Sequence, residues 1–96
     1  MAIHEVLNEH ERIAILKALA AMAGYSSNDS IIQSVCSEFG NDMSRDKVKV
    51  QLAWLAEQGA VTNQKVGAYT IATLTARGQD IAIGRAFVPG IKRPSA

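Results

Sequence analysis

The 96-residue sequence has one cysteine, two prolines and no long apolar run. Cys36 alone cannot form an internal disulfide, which fits a reducing compartment. No stretch approaches the roughly 18 apolar residues that a membrane-spanning helix needs. The first residues also lack the basic and apolar segments of a signal peptide. The sequence therefore predicts a cytoplasmic protein with no membrane span.

The sequence also lacks the common patterns of catalytic and metal sites. Its seven glycines are scattered, so that neither a phosphate-binding loop nor a dinucleotide-binding pattern is present. His4 and His10 do not share a helix face well, and a metal site needs several converging ligands. Cys36 has no histidine near it in sequence and is interpreted as a small buried hydrophobic residue. We expect no enzymatic activity, no cofactor and no metal.

Strong net charge is missing as well, but the total of +1 conceals an asymmetry. Residues 1–42 carry a net charge of −4, and residues 43–96 carry +5. A chain divided in this way can present a basic face despite its nearly neutral sum.

The hydrophobic fraction of 48% is typical of one globular domain, and the spacing of the apolar residues outlines its elements. Helical periodicity predicts four helices, over about residues 3–23, 30–39, 45–58 and 76–85. Two segments rich in β-branched and aromatic residues flank Gly67 and Ala68 and predict a hairpin over about residues 60–74. We predict one domain over residues 1–86.

Residues 87–96 contain both prolines and are predicted to be an extended or disordered C-terminal tail. Because Lys92 and Arg93 lie between the prolines, a basic arm and a docking strap are alternatives to disorder.

The order of these elements predicts the fold class. Helix, helix, helix, hairpin, helix is the order of the winged helix-turn-helix, a mainly α fold with a small β-hairpin. In that design the third helix, here about residues 44–58, enters the major groove of DNA, and the hairpin is the wing that reaches the neighbouring backbone.

Several stretches resemble known families. Residues 52–61 and the sequence Leu74-Thr75-Ala76-Arg77-Gly78 are similar to the segments leading into and out of the wing in MarR-, PadR- and ArsR-like regulators. Nearly the whole chain resembles a family of small Mu-like phage and prophage proteins described as ArsR-like winged-helix regulators, through residues 4–8, 44–48, 52–55, 72–78 and 88–94. The resemblance implies a phage- or prophage-encoded protein in the host cytoplasm. Metal sensing does not follow from it, because the sequence lacks the cysteine pairs of metal-sensing ArsR proteins.

Helical geometry selects the residues that would contact double-stranded DNA. Arg45 lies in the first turn of the third helix and is predicted to contact phosphate or guanine, since its planar fork can bind two acceptors. Lys47 and Lys49 are predicted to contact phosphate or a base, Gln51 is a weaker candidate for a base contact, and Lys65 in the wing is a candidate for phosphate.

A second hypothesis is a winged-helix module that contacts a phage or host protein, with little or no DNA binding. Val50 and Trp54 form an apolar stripe that does not suit a charged backbone, and tryptophan is enriched at protein interfaces. The alternative for Trp54 is ordinary packing on the wing or the last helix.

A DNA-binding domain of this size is expected to act as a homodimer, because two-fold symmetry doubles the site. The predicted dimer surfaces lie on the first and last helices and comprise Ile13, Ile15, Leu19, Met22, Ile81, Ile83 and Phe87.

Overall fold

The computed structural model describes residues 2–94 and, within that range, contains four α-helices and one antiparallel sheet. The helices are α1 (Ile3–Ala20), α2 (Asp29–Glu38), α3 (Arg45–Glu57) and α4 (Ala76–Ala82). The strands are β1 (Ser26–Asn28), β2 (Val61–Val66) and β3 (Tyr69–Leu74), and a 3-10 turn covers Ala23–Tyr25. The molecule is thus a small α+β domain with the predicted order of helices and hairpin.

Side-chain caps fix the beginnings of three helices. Asn28 accepts from the amide of Ile31 at 2.8 Å, and Ser44 accepts from the amide of Lys47 at 3.1 Å. Thr75 caps α4, because its hydroxyl oxygen accepts from the amide of Gly78 at 3.0 Å. Each cap satisfies an amide that has no partner inside its own helix. Helices α1 and α4 each end three residues earlier than predicted.

Strand β1 was not among the predicted elements, because the polar residues 26–29 have the composition of a turn. The strand forms because it pairs with β3, with Ser26 opposite Thr73 and their hydroxyl groups 3.0 Å apart. Strand β3 therefore lies in the middle of the sheet, between β1 and β2. The predicted two-residue turn Gly67–Ala68 joins β2 to β3, with Val66 opposite Tyr69.

The hydrophobic core lies where α1, α2, α3 and the sheet meet. Its largest fully buried apolar side chains are Ile15, Leu16, Leu19, Ile32, Leu52, Leu55 and Ile81. This core changes the predicted dimer surface, because Ile13, Ile15, Leu19 and Ile81 are all buried within one chain. Of that predicted set, Ile83 and Phe87 are the large apolar residues that remain exposed, at 64% and 53%.

The C-terminal segment requires a correction. Residues 87–94 form no helix or strand, as predicted, but they are not a free tail. Val88 and Ile91 are 4% and 2% exposed and belong to the core. Two hydrogen bonds to α1 hold the segment: Arg12 Nη1 donates to the Gly90 carbonyl at 3.0 Å, and the Lys92 amide donates to the Glu9 carbonyl at 3.2 Å. Residues 95 and 96 of the predicted tail lie outside the described residues.

Within residues 2–94, no helix combines the length and the apolarity needed to cross a membrane.

Candidate nucleic-acid interface

Arg45, the residue predicted to contact guanine, is directed towards α2. Its Nε donates to Gln33 Oε1 at 3.0 Å, and its Nη2 donates to Ser30 Oγ at 3.1 Å. Gln33 in turn donates to the carbonyl of Met43 at 2.9 Å, just before α3. Arg45 therefore fixes α2 against the start of α3. In this conformation its fork is engaged within the protein instead of being presented to a base.

Lys47 and Lys49 extend along opposite flanks of α3, and each has an acidic partner. The ammonium of Lys47 lies 3.8 Å from a carboxylate oxygen of Glu11, on α1. The ammonium of Lys49 lies 3.7 Å from a carboxylate oxygen of Asp29, at the start of α2. Both lysine side chains remain about two-fifths exposed, at 41% and 39%. They are thus accessible, but their charges are partly matched within the protein.

The two ion pairs differ in how freely the lysine can leave. Asp29 is fully buried, and among residues 2–94 neither of its carboxylate oxygens has a hydrogen-bond partner. Removing Lys49 would leave that carboxylate buried without a counter-ion, which is costly. Glu11 has a second partner, since it accepts a hydrogen bond from Gln51 at 2.8 Å. Lys47 is therefore the more available of the two cations.

Gln51 is not placed for the predicted base contact. The residue is 1% exposed, and its side-chain amide is fully engaged in the interior. Its Nε2 donates to Asn8 Oδ1 at 2.9 Å and to Glu11, and its Oε1 accepts from Arg12 Nε at 2.8 Å. A buried glutamine needs such partners, because an unsatisfied amide in the interior is costly. Its place in the structure is a polar junction between α3 and α1.

Arg12 extends that junction to the C-terminal segment. Its guanidinium bonds Gln51 and the Gly90 carbonyl, and its Cζ lies 3.8 Å from the centre of the Trp54 ring. Burial lowers the pKa of Arg12, and the neighbouring charges of Glu11 and Glu9 oppose that shift. One side chain therefore connects α1, α3 and the residues near position 90.

Trp54 packs under the C-terminal segment, a contact that the sequence did not predict. At Gly90, which has a φ of 100°, a Cβ atom would lie 2.9 Å from the Trp54 ring and 3.2 Å from Arg12 Nη1. Glycine is needed there both for the backbone angle and for the close approach of the ring. Part of the apolar area of Trp54 is thus covered within the chain itself.

The outward face of α3 carries little positive charge. The exposed side chains along it are Asp46, Val50, Ala53 and Glu57, at the spacing of a single helical stripe. Val50 is 60% exposed. Two acidic groups thus stand at the ends of a small apolar patch, with Lys47 and Lys49 on its flanks.

The β2–β3 hairpin supplies the remaining predicted contact. Only the first residue of β2 is buried, and the five that follow it, Thr62 to Val66, are exposed. Lys65 lies in this exposed run, opposite Thr70 of β3. Asn63 donates to the Leu52 carbonyl at 3.0 Å, so the groups that β2 offers to a partner are the Thr62 hydroxyl, the Gln64 amide and the Lys65 ammonium.

The sequence analysis did not identify the polar residues that hold the side chains of α3 in place, above all Arg12 and Asp29. A signal for the buried junction was present, because Gln51 lies three residues after Val48 and four before Leu55, within the apolar stripe of α3. No comparable signal marked Asp29, which appeared to be one of several turn residues. Among residues 2–94, no three His, Cys, Asp or Glu side chains come together as a metal site would require.

Fold and surface together define a small α+β domain whose third helix and hairpin present a polar, nearly charge-balanced surface. The chain belongs to the family of the phage Mu protein gp26. It is 44% identical to the "Uncharacterized protein gp26" of Escherichia phage Mu over 92 residues, covering 96% of this chain and 95% of that protein. A Haemophilus influenzae protein, also described as uncharacterized, is 37% identical over 78 residues, covering 80% of this chain and 76% of its own length. No protein-family model matches the sequence.

Proposed function

We propose that this protein is a winged-helix DNA-binding protein, a transcriptional regulator of a phage or prophage that acts as a homodimer in the host cytoplasm. In this proposal α2 and α3 are the helix-turn-helix, α3 enters the major groove, and the β2–β3 hairpin is the wing. The observation that supports it best is that both elements carry an accessible lysine, Lys47 near the start of α3 and Lys65 on the hairpin.

The number of cations that are free to contact phosphate determines how steeply DNA binding should depend on salt. Lys47 can exchange Glu11 for a phosphate more easily than Lys49 can leave Asp29, because Glu11 is 13% exposed and keeps the hydrogen bond from Gln51 when the lysine leaves. Arg45 and Lys49 are retained by α2. Two phosphate contacts per protomer give a salt slope of about −2, or about −4 for a dimer. Raising the salt from about 50 to 200 mM should then weaken binding by a dimer roughly 150- to 250-fold.

The first prediction concerns the two accessible lysines. Replacing Lys47→Ala together with Lys65→Ala should weaken binding to random duplex DNA and reduce the magnitude of the salt slope by about 2 per protomer. Fluorescence anisotropy over a series of salt concentrations measures both quantities. A matched control, Lys17→Ala with Arg85→Ala, removes the same charge from α1 and from the segment after α4.

Three outcomes of these measurements would contradict the proposal. An equal loss of affinity in both double variants would mean that net charge alone controls binding, and that α3 and the hairpin are not the interface. An unchanged affinity and slope in the Lys47/Lys65 variant would exclude them in the same way. If the wild-type protein does not bind even at low salt, the DNA-binding proposal is wrong.

A second candidate function is a protein-contact module of a phage, binding a phage or host protein. The exposed face of α3 favours it, because Val50 and Ala53 form an apolar patch between Asp46 and Glu57, and like charges repel a phosphate backbone.

The two candidates differ in how loss of the two lysines should affect the yield of a phage that carries the gene. If α3 contacts a protein, Val50→Glu with Ala53→Glu should lower the yield, while Lys47→Ala with Lys65→Ala should leave it unchanged. Both positions in α3 are exposed, so circular dichroism should show an unchanged Tm. The reverse pattern of yields would reject the protein-contact candidate.

A further inference from the structure

A cleft of about 560 Å³ lies away from α3, between α1, the end of α2 and the C-terminal segment. Its apolar lining comprises Ile13, Ala14, Ala18, Ala21, Val35, Cys36, Phe39 and Pro94. Sites for small organic ligands are typically concave, mostly apolar and about 300–1,000 Å³ in volume. The size and lining of this cleft are within that class.

The charged groups around the cleft are all of one sign. Lys17 of α1 and both Lys92 and Arg93 of the C-terminal segment line it, and among the described residues no acidic side chain does. The Arg93 guanidinium lies over the Phe87 ring, 4.6 Å from its centre, and Lys92 Nζ donates to the Arg93 carbonyl at 3.4 Å, so within residues 2–94 neither cation is paired with a carboxylate there. This arrangement complements a ligand with an apolar body and a negatively charged end.

The floor of the cleft carries no opposing charge. Burial raises the pKa of the Cys36 thiol to about 11, with a smaller contribution from Glu11, so the thiol is neutral at ordinary pH. His10 Nδ1 lies 2.8 Å from the Val6 carbonyl, which occupies one ring nitrogen. The ring of Phe39 is 79% exposed at the rim and could cover an apolar body.

We propose that this cleft binds a small amphipathic carboxylate, with its apolar chain against α1 and α2 and its carboxylate among Lys17, Lys92 and Arg93. A carboxylate suits these cations because hydrogen bonds between ionised partners are stronger than neutral ones. The proposal is independent of DNA binding, since no residue of the cleft belongs to α3 or the hairpin.

Octanoate, octanol and octylammonium are suitable probes, because they share a chain and differ in the charge of the head group. Titration should be followed by amide chemical shifts of the full chain without DNA. We expect octanoate to shift amides around Lys17, Val35 and Phe39, and to bind at least tenfold more tightly than octanol. Octylammonium should bind least. Equal binding of octanoate and octanol, shifts located elsewhere, or no binding of octanoate at millimolar concentration would overturn the proposal.

Variants distinguish the cleft from general charge attraction. Lys17→Ala with Arg93→Ala should weaken octanoate binding about tenfold or more, because two charged donors are lost. Ala21→Trp, at an exposed position of the lining, should block binding by filling the cleft. Lys65→Ala removes one charge from the hairpin and should have no effect. Equal weakening by Lys65→Ala would overturn the proposal. A dimer that covers the cleft would also overturn the proposal. Sedimentation would detect the dimer, and the amides of the cleft would then not respond to octanoate.

Discussion

Replacing Gly78→Ala should unfold the protein at a markedly lower temperature, although alanine normally favours a helix over glycine by about 1 kcal/mol. A Cβ at this position would overlap the carbonyl oxygen of Ala60 and lie 2.7 Å from Leu74 Cδ1. The Ala60 carbonyl cannot simply move, because it accepts the amide of Thr75 at 3.0 Å, and the Thr75 hydroxyl holds the preceding Gly59 carbonyl at 2.6 Å. Overpacking of this kind costs about 1–3 kcal/mol or more.

We expect a net loss of about 2 kcal/mol, which lowers the Tm of a domain of this size by roughly 10 °C. Differential scanning calorimetry measures it. Asp80→Ala, an exposed change in the same helix, is the control for altered helix propensity and should shift the Tm little. A Gly78→Ala variant as stable as the wild type would show that α4 does not pack as closely on Ala60 as the structure has it.

Replacing Ile91→Ala should have an effect of similar or greater size, even though the residue lies near the end of the sequence. Ile91 is 2% exposed and packs in the core. Truncation of a buried isoleucine costs about 2–5 kcal/mol through lost burial and the cavity that remains. We therefore expect a loss of about 3 kcal/mol and a Tm lowered by roughly 10–20 °C.

Chemical denaturation with urea measures this loss, and Ile3→Ala is the matched control. Ile3 undergoes the same change of side chain near the other end of the chain, but it is 69% exposed and should contribute little. Equal, small effects at both positions would mean that the C-terminal segment is detached in solution and that the prediction of a free tail was correct.

The elements that depend on local signals could be predicted from the sequence. Serine favours the N-cap position, so Ser44 predicts the start of α3, and the change from helical to alternating periodicity predicts the hairpin. Such signals act within a few residues of one another. The helix–helix–helix–hairpin–helix order follows from them. In the same way, the stripe of Val48, Leu52 and Leu55 identified the buried face of α3.

The features that depend on distant partners could not be predicted. Strand β1 exists because β3, more than forty residues later, pairs with it, and the three residues have little strand preference of their own. The segment around Gly90 contains proline and glycine, which predict a loop correctly, but its burial depends on Trp54 and Arg12. Composition cannot show such a contact.

The intramolecular partners of the predicted interface residues could not be predicted for the same reason. Helical geometry placed Arg45 in the first turn of α3 and Lys49 on one flank, but it does not show the groups on neighbouring elements that engage them. Gln51 carried a visible warning, since it shares the buried stripe. For the two lysines, only the positions of Glu11 and Asp29 in space reveal how much of their charge is already matched.

The bond between Arg12 and Gly90 has a consequence for how the protein is made. The two residues are 78 positions apart, and Val88 and Ile91 next to that bond complete the core. A ribosome adds residues in order. Nearly the whole chain is therefore synthesised before the last residues that pack on α1 emerge. Until then the part of α1 that meets Val88 and Ile91, and one face of Trp54, lack their final cover. Folding of this domain is therefore completed only after almost all of it has been translated.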